Sequence, residues 1–142
     1  MKSRTRARVA ALQTLYEVDL TNHPLGIVLA ERAQENDLEP AEYDFAQVIA
    51  IGVHENTEKL DCLIAAHAPE WPLDQVAVID RNILRIALWE VAFYRKTPLK
   101  VGINEAVELA KAFGTDSSPR FINGVLGSLA ENFDTLLQSI SK

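Results

Sequence analysis

Apolar residues recur along this chain at three- and four-residue intervals, and no segment shows strand-like alternation, so the pattern predicts helices throughout. From Arg4 to Leu20, Val9, Leu12, Leu15 or Tyr16, and Leu20 form a stripe, with Ser3 placed as N-cap. A turn at Asn22, His23 and Pro24 leads to a second helix over Leu25 to Asn36. Pro40, as a first-turn proline, opens a long third helix whose stripe runs from Tyr43 and Phe45 through Val53 to Leu60 and Ile64, across Gly52. Between Leu73 and Tyr94 apolar residues cover more than one face, which predicts the most buried helical segment. Ile103, Ala106, Val107 and Ala110 mark the next helix, with Gly114 at its C′ position. Ser118 and Pro119 read as N-cap and first residue of a last helix carrying Phe121, Ile122, Val125, Leu129, Phe133, Leu136 and Ile140. The expected fold class is all-α, a compact single-domain bundle of about six or seven helices spanning residues 1–142.

Length supports that expectation, because a chain of 142 residues buries roughly 68–70% of the surface its unfolded form exposes. Cys62 is the only cysteine, which excludes an intrachain disulfide, and its neighbours Leu60, Leu63 and Ile64 place it in or near the core. No apolar run approaches the ~20 residues of a membrane span and no signal-peptide pattern follows the arginines, which points to a cytoplasmic protein. Catalytic and metal chemistry find no scaffold. His23, His54, His67 and Cys62 share no ligand spacing, and no phosphate loop or nucleophile elbow is present, so no catalytic residue, metal or cofactor is expected. Glu105 and Glu108 read as a solvated face supported by Lys111, and Arg85, inside an apolar run, either snorkels or meets a carboxylate, with Glu90, Glu105 and Glu108 as candidates.

Charge is distributed unevenly. Lys2, Arg4, Arg6 and Arg8 fall within the first eight residues, whereas the other 134 carry 10 basic and 20 acidic side chains. A basic arm over residues 1–8 on an acidic body is either a solvated tail or a local polyanion site, since guanidinium forks match phosphate oxygens. Helical spacing puts Arg4 and Arg8 on one face and turns Arg6 elsewhere. Tyr16, two turns beyond Arg8, and Phe121, after Arg120, are core residues or base-stacking platforms. Trp71 and Trp89 read as packing anchors.

Ordered along almost the whole chain, RTRARVAALQTLYEVD, Trp71 within APEWPL, IDRNILRIALWEV, INEAVELAKAFG and SSPRFINGVLGSL resemble the NusB family of bacterial transcription antitermination factors. The resemblance is most specific from Trp71 to Leu129. It implies a helical protein that binds boxA RNA in nascent ribosomal RNA transcripts with NusE, a small ribosomal subunit protein, and supports readthrough by RNA polymerase. By position it implies RNA contacts at Lys2, Arg4, Arg6, Arg8, Tyr16, Arg120 and Phe121, and a NusE contact at Asp80, exposed at the start of the central helix. The family often carries an acid immediately before the capping serine. Here that position is Ser117, with Asp116 one residue earlier, and the arginine run is sparser than in members with three in succession. Two rival readings are the RNA-binding portion of an RNA (cytosine) methyltransferase, whose catalytic sheet this chain lacks, and a helical adaptor that joins proteins without RNA.

Overall fold

Three alanines set the packing of the N-terminal helices. Ala7, Ala10 and Ala11 on α1 (Ser3–Thr21) are fully buried, and their small side chains let α2 (Leu25–Glu35) and α3 (Pro40–Glu55) both pack against it. Leu12, Leu29 and Ile49, all buried, fill the space between them, each contributing about 1.5–3 kcal/mol of apolar burial. The structure is a computed structural model describing residues 2–140; residues 1 and 141–142, which include the ends of the expected 1–142 domain and 1–8 arm, lie outside the described residues. Within them it contains eight α-helices and no strand, one helix more than the upper expectation.

The additional helices come from two breaks inside stripes that read as continuous. The expected long third helix stops at Glu55, and α4 (Thr57–His67) begins after Asn56, whose φ of −117° leaves the helical region. The expected last helix divides into α7 (Ser118–Glu131) and α8 (Phe133–Ile140) at Asn132, with φ −120°. Both breaks fall at asparagine, whose side chain competes with the backbone for hydrogen bonds and favours helix ends. Apolar periodicity survives each break, so the pattern alone did not show them. Contacts also divide the described chain into two compact units, one ending at Glu55 and the other beginning at Asn56.

In the second unit α5 (Val78–Leu88) is the central element, continuous with a π-helical turn over Trp89–Tyr94 and packed against α4, α6 (Leu99–Phe113) and α7. Every residue from Asn82 to Ala92 is buried, as the unbroken apolar coverage predicts. Arg85 is part of that core, and one of its partners is Asp61 on α4, an acid outside the three expected. Nε and Nη2 donate to the two carboxylate oxygens, both at 2.8 Å, a bidentate geometry that compensates desolvation of the guanidinium. Cys62 is exposed, contrary to expectation: Leu60 and Ile64, one turn apart, take the buried face of α4 and turn Cys62 outward.

Replacing Asp61 with asparagine removes the carboxylate charge from the bidentate contact with Arg85. Urea unfolding is expected to show a loss of about 2–3 kcal/mol at unchanged m-value, below the range for a fully buried pair because a third of the Asp61 side chain is in solvent, 32%. A loss under about 0.5 kcal/mol would place the pair among ordinary surface ion pairs.

Candidate nucleic-acid interface

The basic start of the chain is helical from Ser3 onward, and the helix assigns its cations to different surroundings. Lys2 is the N-cap and exposed, its carbonyl accepting the Arg6 N–H at 3.0 Å. Arg4 is exposed and its guanidinium lies 3.9 Å from the centroid of the Phe45 ring on α3. Arg8, one turn on, approaches the same ring at 5.5 Å but is buried. The expected sharing of a face by Arg4 and Arg8 is thus present, and Phe45 is what they share.

Arg6 points the other way, into a clasp joining all three helices of its unit. Its Nε pairs with Glu42 Oε2 at 3.2 Å, and its Nη2 donates to the carbonyls of Asn36 and Asp37 at 2.7 and 2.8 Å. Those carbonyls end α2, where positive charge is favoured by the helix dipole, and Asp37 is in the left-handed region with φ 52°. Glu42 sits in the first turn of α3, its Oε1 accepting the Glu39 N–H at 2.8 Å, the reciprocal half of a capping box. Ser3, expected as N-cap of α1, instead bonds Glu42 through its hydroxyl. The Glu39 N–H, with Ser3 and Arg6, holds the Glu42 carboxyl below the usual glutamate range against the opposing effect of burial.

Tyr16 is 39% exposed and Leu15 is in the core, which decides between the two positions the stripe left open. In the second unit, Arg120 is exposed and Phe121 half-buried at the start of α7, the Phe121 ring meeting Trp71 edge-on at 6.5 Å and 79°. Gly124, one turn on, faces the same indole, and a Cβ there would meet Trp71 Cζ2 at 3.5 Å, an ordinary contact.

Asp80 lies in the first turn of α5, as expected, but it is buried where exposure was expected. The cause is Ser118, whose hydroxyl donates to Asp80 Oδ2 at 3.0 Å and accepts the Thr115 N–H at 2.9 Å. Ser118 is therefore the first residue of α7, not its cap; Ser117 takes the cap position. Gly114 is required by this arrangement, not by a left-handed backbone: its φ is −91°, and a Cβ would lie 2.5 Å from that of Ser118. Burial pushes the Asp80 carboxyl above its usual range, the Ser118 bond only partly opposing it, and Oδ1 is buried without a hydrogen-bond partner among the described residues.

The residues that sequence reasoning missed are Phe45 and Glu42, the two that give the arginines their places. Glu42 had a signal, an acid two residues after a first-turn proline; Phe45 was visible only as one apolar residue in a stripe. Among the described residues no group of three or more His, Cys, Asp or Glu could hold a metal, and no helix is long and apolar enough to cross a membrane.

An all-helical chain with a basic helix start backed by an aromatic ring is the class these features define. A model of the NusB family matches residues 5–131, and the chain belongs to that family. It is 46% identical over 132 residues to the transcription antitermination protein NusB of Roseiflexus castenholzii, covering 92% of this chain and 93% of the relative. To the protein of the same name from Desulforamulus reducens it is 41% identical over 138 residues, covering 97% and 96%. Among solved structures, T. maritima NusB superposes with a TM-score of 0.79 at 32% identity, over 95% of this chain and 90% of that one. A chain in a crystal structure of the antitermination factors NusB and NusE with double-stranded RNA shares the fold, with TM-score 0.81 at 24% identity and 98% coverage of each.

The two perturbed carboxylates predict opposite pH signatures. Glu42, with its pKa lowered on folding, contributes stability above the ordinary carboxylate range that is lost as pH falls through the folded value. Glu42→Gln is therefore expected to melt below wild type at neutral pH and to converge with it in acid. Asp80, with its pKa raised, favours folding when protonated and loses that contribution as pH rises through the folded value. Asp80→Asn is expected to match wild type in acid and to gain on it towards neutrality. Thermal melts between about pH 3 and pH 7 check both; curves offset equally at every pH would refute the assignments.

Proposed function

We propose that this chain is a transcription antitermination factor that binds boxA RNA of nascent ribosomal RNA transcripts together with NusE and supports readthrough by RNA polymerase in the cytoplasm, without catalysis of its own. Family membership over residues 5–131 is the observation that carries the reading. The geometry gives it a mechanism that divides the basic start between framework and ligand. Arg6, clasped by Glu42 and two carbonyls, and Arg8, buried beside Phe45, fix the end of α1. Lys2 and Arg4, exposed on that fixed end, meet the phosphates, and the Phe45 ring under Arg4 holds its guanidinium facing outward. Tyr16 offers an exposed ring for a base, and Arg120 with Phe121 adds a cation and an aromatic edge at the start of α7.

NusE meets the start of α5. Asp80 contributes there through a carboxylate that Ser118 orients and whose second oxygen has no hydrogen-bond partner among the described residues. That oxygen is itself buried, so Asp80 supports the NusE surface by tying the first turn of α5 to Ser118 rather than by meeting a partner's donor. The chain takes part in the polymerase complex through RNA and NusE together, and a domain of net charge −6 binds RNA only where its cations are gathered.

Filter binding of a boxA RNA by the full chain, with and without NusE, tests the reading. Binding that tightens when NusE is added supports it, and no binding in either condition refutes it. Arg4→Gln is expected to make the slope of log K against log salt shallower by about 0.7, one single-strand phosphate contact. Tyr16→Ala is expected to lose about 1–3 kcal/mol of binding at unchanged melting temperature, whereas Phe121→Ala loses stability as well because its ring packs on Trp71. Asp80→Asn, which keeps the size of the side chain, is expected to weaken NusE association several-fold and to spare RNA binding by the isolated chain. Wild-type NusE affinity in that variant would remove Asp80 from the interface.

A further inference from the structure

Outside the first eight residues, the densest cationic stretch is Arg95, Lys96 and Lys100, and from Val91 to Asn104 the chain has no acidic residue, although it has 20 in all. All three cations are exposed, and none forms an ion pair among the described residues. Of the two acids that flank the stretch, each five residues from its nearest cation, Glu90 is turned into the core at 1% exposure, where it accepts the Thr97 hydroxyl at 2.9 Å, and Glu105 is half-buried on α6.

The backbone gathers these charges. The π-helical turn ends at Tyr94, and Arg95, with φ 63° and its N–H bonded to the Glu90 carbonyl at 2.9 Å, reverses the chain. After Pro98 the helix α6 begins, with Lys100 in its first turn and no acid there. Three cations with no ion pair among the described residues thus share one end of α6 with the positive pole of its dipole, an arrangement unfavourable in isolation and relieved by a bound polyanion. The Tyr94 ring is held by stacking on Trp89, centroids 5.2 Å apart at 20°, and the Lys96 ammonium stands 5.4 Å from the Tyr94 centroid. A fixed aromatic ring beside exposed cations is the chemistry that tracks a single-stranded nucleic acid, in which phosphates alternate with flat bases. An acidic protein surface would match the charges and leave the ring without a role.

We propose that Tyr94, Arg95, Lys96 and Lys100 form a second contact surface for single-stranded RNA, distinct from the α1 start, that grips the phosphate backbone without reading sequence. The proposal rests on the RNA-binding reading above. It explains how an acidic chain with two exposed cations at its N-terminal tip can hold a transcript, since flanking phosphates add affinity that any sequence provides.

The test uses the full chain and a boxA-containing single-stranded RNA of about 40 nucleotides, several times the length one small domain covers. The triple variant R95N/K96Q/K100Q removes the charges, and asparagine tolerates the left-handed conformation at position 95. Three lost single-strand contacts are expected to make the salt slope shallower by about 2, so that wild type loses roughly 16-fold more affinity than the variant between about 50 and 200 mM salt. Equal melting temperatures establish that the fold is intact. Wild-type slope and affinity in the folded variant overturn the proposal while leaving the α1 reading in place. Binding of polyglutamate that the variant loses, with RNA affinity unchanged, overturns it in favour of an acidic protein partner. Wild-type protein that binds no RNA overturns both this surface and the function it rests on.

Discussion

The Arg6 clasp is the interaction on which the N-terminal unit depends. One guanidinium joins the start of α1, the carbonyls of the α2 C-cap and of the residue after it, and the first-turn acid of α3. Helix ends leave carbonyls and N–H groups unpaired, and here a cation satisfies two carbonyls while Glu42 satisfies an N–H. Because Arg6 is held on one side of α1, Arg4 and Arg8 are held on the other, across Phe45. A start that composition describes as a charged tail becomes a rigid helix end with its exposed cations at set positions.

The second unit uses the same economy around a hydroxyl. Ser118 bonds forward to Asp80 and back to Thr115, so the loop before α7 and the first turn of α5 are tied through one oxygen. Gly114 permits the close approach. The residues proposed to meet RNA, Arg120 and Phe121, follow within one turn of that tie, and the residue proposed to support the NusE surface is one end of it. A partner that binds at the start of α5 therefore acts on a hydrogen bond that also positions the start of α7, which gives protein and RNA binding a shared structural element.

Helix positions were legible in the sequence because they depend on periodic burial: Pro40 opens α3, the segment around Ile83 and Leu84 is the most buried, and Glu108 pairs with Lys111 at 3.2 Å. Breaks at Asn56 and Asn132 were not, since a stripe continues in phase across a one-residue interruption. The site was legible as residue types and not as roles. Nothing in the spacing of Arg4, Arg6 and Arg8 states that the middle one meets a carboxylate 36 residues away, or in the run around Arg85 that it meets Asp61, 24 residues before it. Burial of Asp80 and exposure of Cys62 fail for a related reason: both are decided by what packs opposite, and periodicity reports only the element itself.

The central claim is that the basic start is divided, Arg6 and Arg8 maintaining the fold and Lys2 and Arg4 meeting RNA. Arginine side-chain Nε–H resonances, followed by NMR while boxA RNA is added to the folded chain, address it residue by residue. Arg4 is expected to shift with saturation, and Arg6, hydrogen-bonded to Glu42 before and after, to stay in place. A large shift of Arg6 with Arg4 unmoved would contradict it.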